Sequence, residues 1–214
     1  MPGSSQRPSP IRLPAPKLGR GKSLPESLRR RRTIREISGR KLPPQLLSNL
    51  LWAACGVNRR KGPFGPVGIT AASASSSQEI DLYVALKDGV YRFDAQHHRL
   101  NAVVAGDLRR LAVGRGQQDM PLQAPIQLIY VADVHRLTHT RGFREPGLRD
   151  KEVQKSYYFV DTGLIAGNVY LFAASQGLAC WFHNCDRTAL KTKLKLRAEQ
   201  RALFAQSVGY PERR

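Results

Sequence analysis

Apolar positions along this chain recur with two periods. After Pro43-Pro44, residues Leu46, Leu47, Leu50, Leu51 and Ala54 fall on one face of a helix, and Gly56 marks its stop. An earlier helix is predicted from Ser23 to about Arg32, because Ser23 and Glu26 have capping-box spacing and Pro25 suits a first turn. Residues 57–78 read as a long loop, a kind of segment that is often functional. Short apolar runs then predict strands at Ile80–Leu86, Val90–Phe93 and Leu100–Val104, with Lys87-Asp88-Gly89 as a hairpin turn. Asp107 is expected to cap a short helix through Leu111, and 112–123 to be loop. Ile126–Val134, IQLIYVADV, is the clearest buried strand. After a polar loop at 137–151, a long helix is predicted from Glu152 to Gln176, with Gly177 as its C-cap. Gly163 and Gly167 lie four apart in it, a spacing of small residues that suggests close approach of another backbone. Strands at Ala179–Phe182 and Ala202–Val208 flank a Lys-rich helix capped by Asp186, and Gly209-Tyr210-Pro211 closes the pattern. The order of elements predicts an α+β fold with a central, mainly antiparallel or mixed sheet flanked by helices, one of them long and buried.

Composition narrows this. The 214 residues are 41% hydrophobic, enough for a core, which excludes wholesale disorder. No run of about 18 uncharged apolar residues is present, so no membrane-spanning helix is expected. The opening MPGSSQRPSPIRLPAP has no apolar heart of a secretory signal, and three cysteines do not make a disulfide framework. A reducing, cytoplasmic setting is therefore expected. Residues 1–22 read as a flexible, basic, Pro/Ser-rich arm, and 23–214 as the folded domain.

Charge is unevenly spread. Residues 1–62 hold 15 Lys+Arg against 2 Asp+Glu, and the rest 20 against 14. A basic arm can bind nucleic acid through counterion release, an arginine cluster can hold a phosphorylated ligand through paired hydrogen bonds, and a cationic surface can simply solubilise. The densest feature is RRRRTIR, Arg29–Arg35, at the end of the first helix. If the chain leaves the helix extended, Arg31, Thr33 and Arg35 alternate and aim two guanidinia and a hydroxyl at one point, a set that suits a phosphate monoester dianion. A solvated basic helix end, favoured by the helix dipole, is the competing reading.

Other chemistry is poorly supported. Walker A, H-E-x-x-H, G-x-S-x-G and G-x-G-x-x-G patterns are absent. Cys180, His183 and Cys185 lack the second ligand pair that a zinc site needs, Cys55 is distant in sequence, and no metal is expected. His97-His98 reads as solvated, and the Ser-rich loop has no triad context.

At this point the segments resemble a known family. RRRRTIREISGRKLPPQLLSNLLWAACGVNR resembles the opening of FMN-dependent nitroreductases, where an R-R-S-x-R-x-F motif precedes a Leu-rich helix that follows proline. TAASASSSQEIDLYVAL resembles the Ser-rich turn and strand that come next. AGDLRRLA with Gln118 and APIQLIYVAD, then VDTGLIAGNVYLFAASQGLA, then AQSVGYP follow in the family's order, over about residues 24–211. The likeness is nearest to the compact branch related to oxidases of thiazole and oxazole peptide maturation.

The resemblance implies a nitroreductase-like α+β homodimer with swapped terminal segments and two FMN sites at the interface. By position, Arg31, Arg32, Thr33 and Arg35 would hold the phosphate and ribityl chain. Ser73, Ala74 and Ser76 would reach the FMN of the opposite subunit. Gln118 would bond the flavin's pyrimidine side, and the backbone at Phe182, His183 and Asn184 would pass N5. The implied activity is hydride transfer from NAD(P)H through the flavin to a nitroaromatic or quinone-like acceptor, ping-pong, with no side-chain acid or base. Ala72 stands where Pro is common, Ser76 where Asn is, Gly167 where Gln is, and Ile37 where an aromatic is; Thr33 replaces Ser, and Arg213 is a candidate phosphate ligand near the end. The alternatives are a basic nucleic-acid-binding module, which explains the charge but not the ordered core segments, and a flavin-fold binder without turnover.

Overall fold

The computed structural model describes residues 8–62, 64, 67–114, 116, 123–141 and 146–212. The chain begins with a two-residue strand, β1 (Ile11–Arg12), then helices α1 (Leu24–Arg30) and α2 (Pro44–Cys55). A small ribbon pairs β2 (Val57–Arg59) with β3 (Gly68–Ile69). Three strands follow: β4 (Ile80–Ala85), β5 (Gly89–Asp94) and β6 (Arg99–Ala105). Beyond them come β7 (Ile126–Asp133), the short helix α3 (Val134–Thr138) and the 26-residue helix α4 (Lys151–Gln176). The chain ends with β8 (Ala179–His183), α5 (Arg187–Lys193) and β9 (Gln200–Gly209). Seven strands form one sheet in the order β1-β6-β5-β4-β7-β9-β8, and every recorded pairing in it is antiparallel.

The two faces of this sheet explain why β7 reads as a continuous apolar run. Leu128, Tyr130 and Ala132 pack on the same core as α2 and α4, while Ile129 and Val131 pack with Leu190 and Leu194 around α5. A strand covered on both faces needs apolar side chains at every position. α2 buries Leu47, Leu50, Leu51 and Ala54 as its periodicity predicts. α4 is stopped by Gly177, whose φ of +68° is the left-handed cap that a residue with a Cβ resists.

Several boundaries differ from expectation for local reasons. α1 ends at Arg30, because Arg31 is already extended at φ −57°, ψ 120°. α4 starts at Lys151, capped by Asp150 accepting from Glu152 N–H. The predicted loop 57–78 contains the β2–β3 ribbon and a 3-10 turn at Ala74–Ser76.

The stretch expected as an arm is extended, and from residue 8 it lies along the domain. Ile11–Arg12 pairs with the exposed edge of β6. Asn49 of α2 clamps Lys17 through both its N–H and its carbonyl, at 2.8 and 2.7 Å, while Gln45 and Ser48 donate to the carbonyls of Ala15 and Pro14. Those polar α2 side chains satisfy a segment that has no sheet of its own. His97 is exposed, as expected. His98 is not: its Nε2 lies 2.7 Å from Ser48 Oγ, and burial lowers its pKa.

Candidate functional site

The segment after α1 runs along the outer edge of β8, the last strand of the sheet. Ile34 N–H donates to Cys180 O at 3.0 Å. The side chains around it are open to solvent: Arg31, Arg32, Thr33 and Arg35 are exposed, whereas Ile37 is buried and bridges to Pro211. The four-arginine run divides. Arg29 and Arg30 both pair with Glu26, on their own helix. Arg31, Arg32 and Arg35 have no acidic partner among the described residues. Instead Arg31 lies over the Tyr170 ring, 5.5 Å from its centroid, and Arg35 over Trp181 at 5.7 Å. Aromatic faces hold guanidinia without neutralising them.

Tyr170 of α4 joins the parts. Its hydroxyl accepts Phe182 N–H at 2.9 Å and lies 3.1 Å from Thr33 Oγ1. With the phenol donating its own proton to Thr33, the threonine hydroxyl proton is left for a ligand. Two cations without an acidic partner among the described residues and a free hydroxyl donor form a set whose chemistry fits a phosphate dianion. Sequence reading missed Tyr170 and Trp181. Both sit among the apolar residues of a buried helix and strand, and nothing in the sequence separates an aromatic there from an ordinary core residue.

The β8 side chains behave differently from their backbone. His183 is buried, its ring tilted against Trp181 with centroids 4.4 Å apart. Its Nδ1 lies 2.9 Å from Asn184 O and its Nε2 2.8 Å from Ser207 Oγ, which is 2.7 Å from the Gln127 amide. The Ser207 hydroxyl donates to Gln127 Oε1. Burial lowers the pKa of the His183 ring and so favours its neutral form. Phe182 N–H is already used by Tyr170, so within one chain it is not a donor for a ligand.

Ser73, Ala74 and Ser76 form the second predicted region. Ser75 (φ 46°), Ser76 (φ 57°) and Gln78 (φ 47°) are all left-handed without being glycine, a conformation that costs on the order of 1 kcal/mol each. Bonds hold the turn in place: Ala74 N–H to Asp161 Oδ2 at 2.9 Å, Gln78 N–H to Ser73 Oγ at 3.0 Å, and Gln78 Nε2–H to Val67 O at 2.7 Å. A cavity of about 710 Å³ opens beside it, lined by Ser76, Ser77, Phe64, His135, Arg136 and Arg141 among others. Asp161 and Tyr170 anchor the two regions to the same helix, nine residues apart, so they lie roughly 13 Å apart along its axis and about half a turn around it. The structure thus does not bring the arginines and the serine turn of one chain to a common point. Gln118 and Arg213 lie outside the described residues.

The cysteines stay apart. Cys180 bonds Gln206 in the main core, Cys185 packs in the α5 cluster, and burial raises their thiols to about 12 and about 11. No helix among the described residues is long and apolar enough to cross a membrane.

The fold, an antiparallel sheet with a long helix behind it, has counterparts among known proteins. The family model "Nitroreductase family" matches residues 28–210, and the chain belongs to that family of oxidoreductases. A Methanocaldococcus jannaschii protein named "Putative nitroreductase" is 31% identical over 182 residues, covering 79% of this chain and 85% of its own. A crystal structure from Ralstonia eutropha JMP134, given the same description, is 32% identical with a TM-score of 0.81, covering 99% of this chain and 93% of that one. The NADPH:FMN oxidoreductase of Vibrio harveyi, complexed with NAD+, shares the fold at 18% identity and a TM-score of 0.60, covering 89% of this chain and 69% of that one.

Proposed function

We propose that this protein is an FMN-dependent oxidoreductase that moves a hydride from NAD(P)H to a small organic acceptor, nitroaromatic or quinone-like, in a ping-pong cycle. The carrying observation is the pair of guanidinia, Arg31 and Arg35, that have no acidic partner among the described residues and are held on aromatic faces beside Thr33 at the open edge of β8. When bound, FMN would supply the hydride-transfer chemistry. The chain's residues bind and orient it. Arg31, Arg32 and Arg35 offer charged hydrogen bonds to the phosphate, and Thr33 its hydroxyl proton. The backbone from Phe182 to Asn184, at the end of β8, would form one wall, with His183 turned inward. By the family resemblance, Gln118 takes the pyrimidine edge. No side chain is assigned a proton-transfer role, because solvent water suffices.

A homodimer is part of this reading. α4 exposes Phe159, Val160 and Leu164 at 40, 60 and 44%, beside Gly163 and Gly167, where a Cβ would meet nothing within 4 Å. An apolar stripe with room for close approach suits a second helix. Since Ser73–Ser76 lies on the opposite side of α4 from the arginines, the serine turn of one subunit would serve the flavin of the other. A cytoplasmic setting agrees with three buried, unbridged thiols.

The test is the absorption spectrum of the purified protein. Flavin bands that bleach with NADH or NADPH and recover with a quinone support the proposal. Colourless protein that gains no flavin bands with added FMN, and is retained on nucleic acid in a salt-sensitive way, overturns it in favour of the basic binding module.

A further inference from the structure

Beneath the Ser73–Gln78 turn lie two buried carboxyls to which the flavin reading gives no task. Glu79, just before β4, is 0% exposed, and Asp161, in the first half of α4, is 4% exposed. Asp161 Oδ2 accepts Ala74 N–H at 2.9 Å, and Glu79 Oε2 accepts the Ser77 hydroxyl at 2.6 Å. That leaves Glu79 Oε1 buried with no hydrogen-bond partner. Ser77 N–H donates to Ala74 O at 2.9 Å, so one short turn seats both carboxyls beneath it, and Asp161 is among the causes that raise the Glu79 pKa. Two ionised carboxylates repel; a carboxylic acid donates to a carboxylate.

Charged groups on the surrounding elements do not neutralise the pair. Arg136 of α3 donates to the Glu79 carbonyl oxygen at 3.0 Å and pairs with Asp81 of β4 at 2.9 Å. Asp133 of β7 gives its N–H to that same carbonyl, while its carboxylate is paired with Arg197. From α4, Asp161 acts on Glu79 with its charge. Among the described residues no cation makes a hydrogen bond or ion pair to either carboxyl.

We propose that Glu79 and Asp161 share one proton, and that this clasp makes them positioning residues that fix the Ser73–Gln78 turn in the form it presents to the flavin. The second half of the proposal rests on the flavin reading above; the first does not. Burial is the main cause that raises both carboxyls, Glu79 to about 7. The proton stays on Glu79, because Asp161 already accepts the Ala74 amide. The clasp is also what three left-handed, non-glycine residues in a row of four require to stay in place.

The sign of the pH effect follows from linkage. In a loosened turn Glu79 regains an ordinary carboxyl pKa, near ~4.3. The docked turn therefore binds a proton more tightly, and docking weakens as pH rises, by up to about tenfold per unit between roughly pH 5 and 7, with a plateau above.

Two measurements on the full chain test this. Hydrogen exchange of the turn amides, Ala74 above all, gives a protection factor across pH 5 to 8.5. Wild type should lose at least tenfold in protection over pH 5–7, after correction for intrinsic exchange. Glu79→Gln, which keeps a donor toward Asp161 but cannot titrate, should be flat within about threefold. Matching profiles in the two proteins overturn the shared proton. FMN titration by fluorescence quenching at pH 6 is the second measurement. Glu79→Ala should bind FMN at least tenfold more weakly than wild type, and Glu79→Gln should restore affinity to within about threefold. Wild-type affinity in a folded Glu79→Ala, or no rescue by Glu79→Gln, overturns the positioning role. If wild type binds no FMN at any pH, the flavin reading and the positioning role fall together, and the exchange profiles still decide the clasp.

Discussion

The two segments expected at a flavin, Arg31–Arg35 and Ser73–Ser76, are built in opposite ways. The first is extended, open and electrically incomplete: its backbone is tied to Cys180 O, yet its guanidinia have no acidic partner among the described residues. The second is strained, pinned from several sides and backed by buried acids. Unpaired cations on a fixed backbone offer binding energy to an anion without first breaking an ion pair. A turn held out of its preferred conformation offers shape instead, and holds it only while its supports survive. The difference predicts that damage to the first region shows in ligand affinity, and damage to the second in stability.

Asp161→Ala should break this contrast most visibly. It orphans the part-buried Ala74 amide and the buried Glu79 carboxyl, and should lower unfolding free energy by about 2 kcal/mol. Urea denaturation of the wild type and variant checks this; a loss under about 1 kcal/mol would mean the turn does not depend on α4. Arg35→Ala is its counterpart. FMN retention should weaken by roughly 1.5–3 kcal/mol, the scale of a charged hydrogen bond, with little change in stability. Unchanged affinity in that variant counts against the phosphate assignment.

Tyr170→Phe touches the joint between α4, β8 and Thr33. Removing one hydroxyl that serves two partners should cost about 1 kcal/mol in stability, read by thermal melting, and should also weaken FMN binding. Ser75→Gly should move stability the other way, by about 0.5–1 kcal/mol, because glycine accepts the left-handed backbone without strain. If Ser75→Gly destabilises, the turn's shape depends on that side chain and strain is not its main cost.

Periodicity located the helices and strands well because burial imposes it locally. Leu47, Leu50, Leu51 and Ala54 on α2, and the unbroken apolar run of β7, each record what covers them. What periodicity could not convey is partnership across long separations. β1 has only two residues and lies within a Pro-rich stretch, so its pairing with β6 left no trace in composition. Tyr170 reads as one more apolar residue of α4 until its hydroxyl is seen between Thr33 and Phe182 N–H.

The sequence by itself determined the α+β class, the course of the long helix, the basic segment after α1 and the likeness to nitroreductases. These rest on patterns and ordered motifs that lie within a few residues of each other. Tertiary structure alone decided which arginines lack an acidic partner among the described residues, that the serine turn is held from the opposite side of α4, and that Glu79 and Asp161, 82 positions apart, both hold that turn. Charges and hydrogen bonds act over a few ångströms in space, and the distance along the chain carries no record of them.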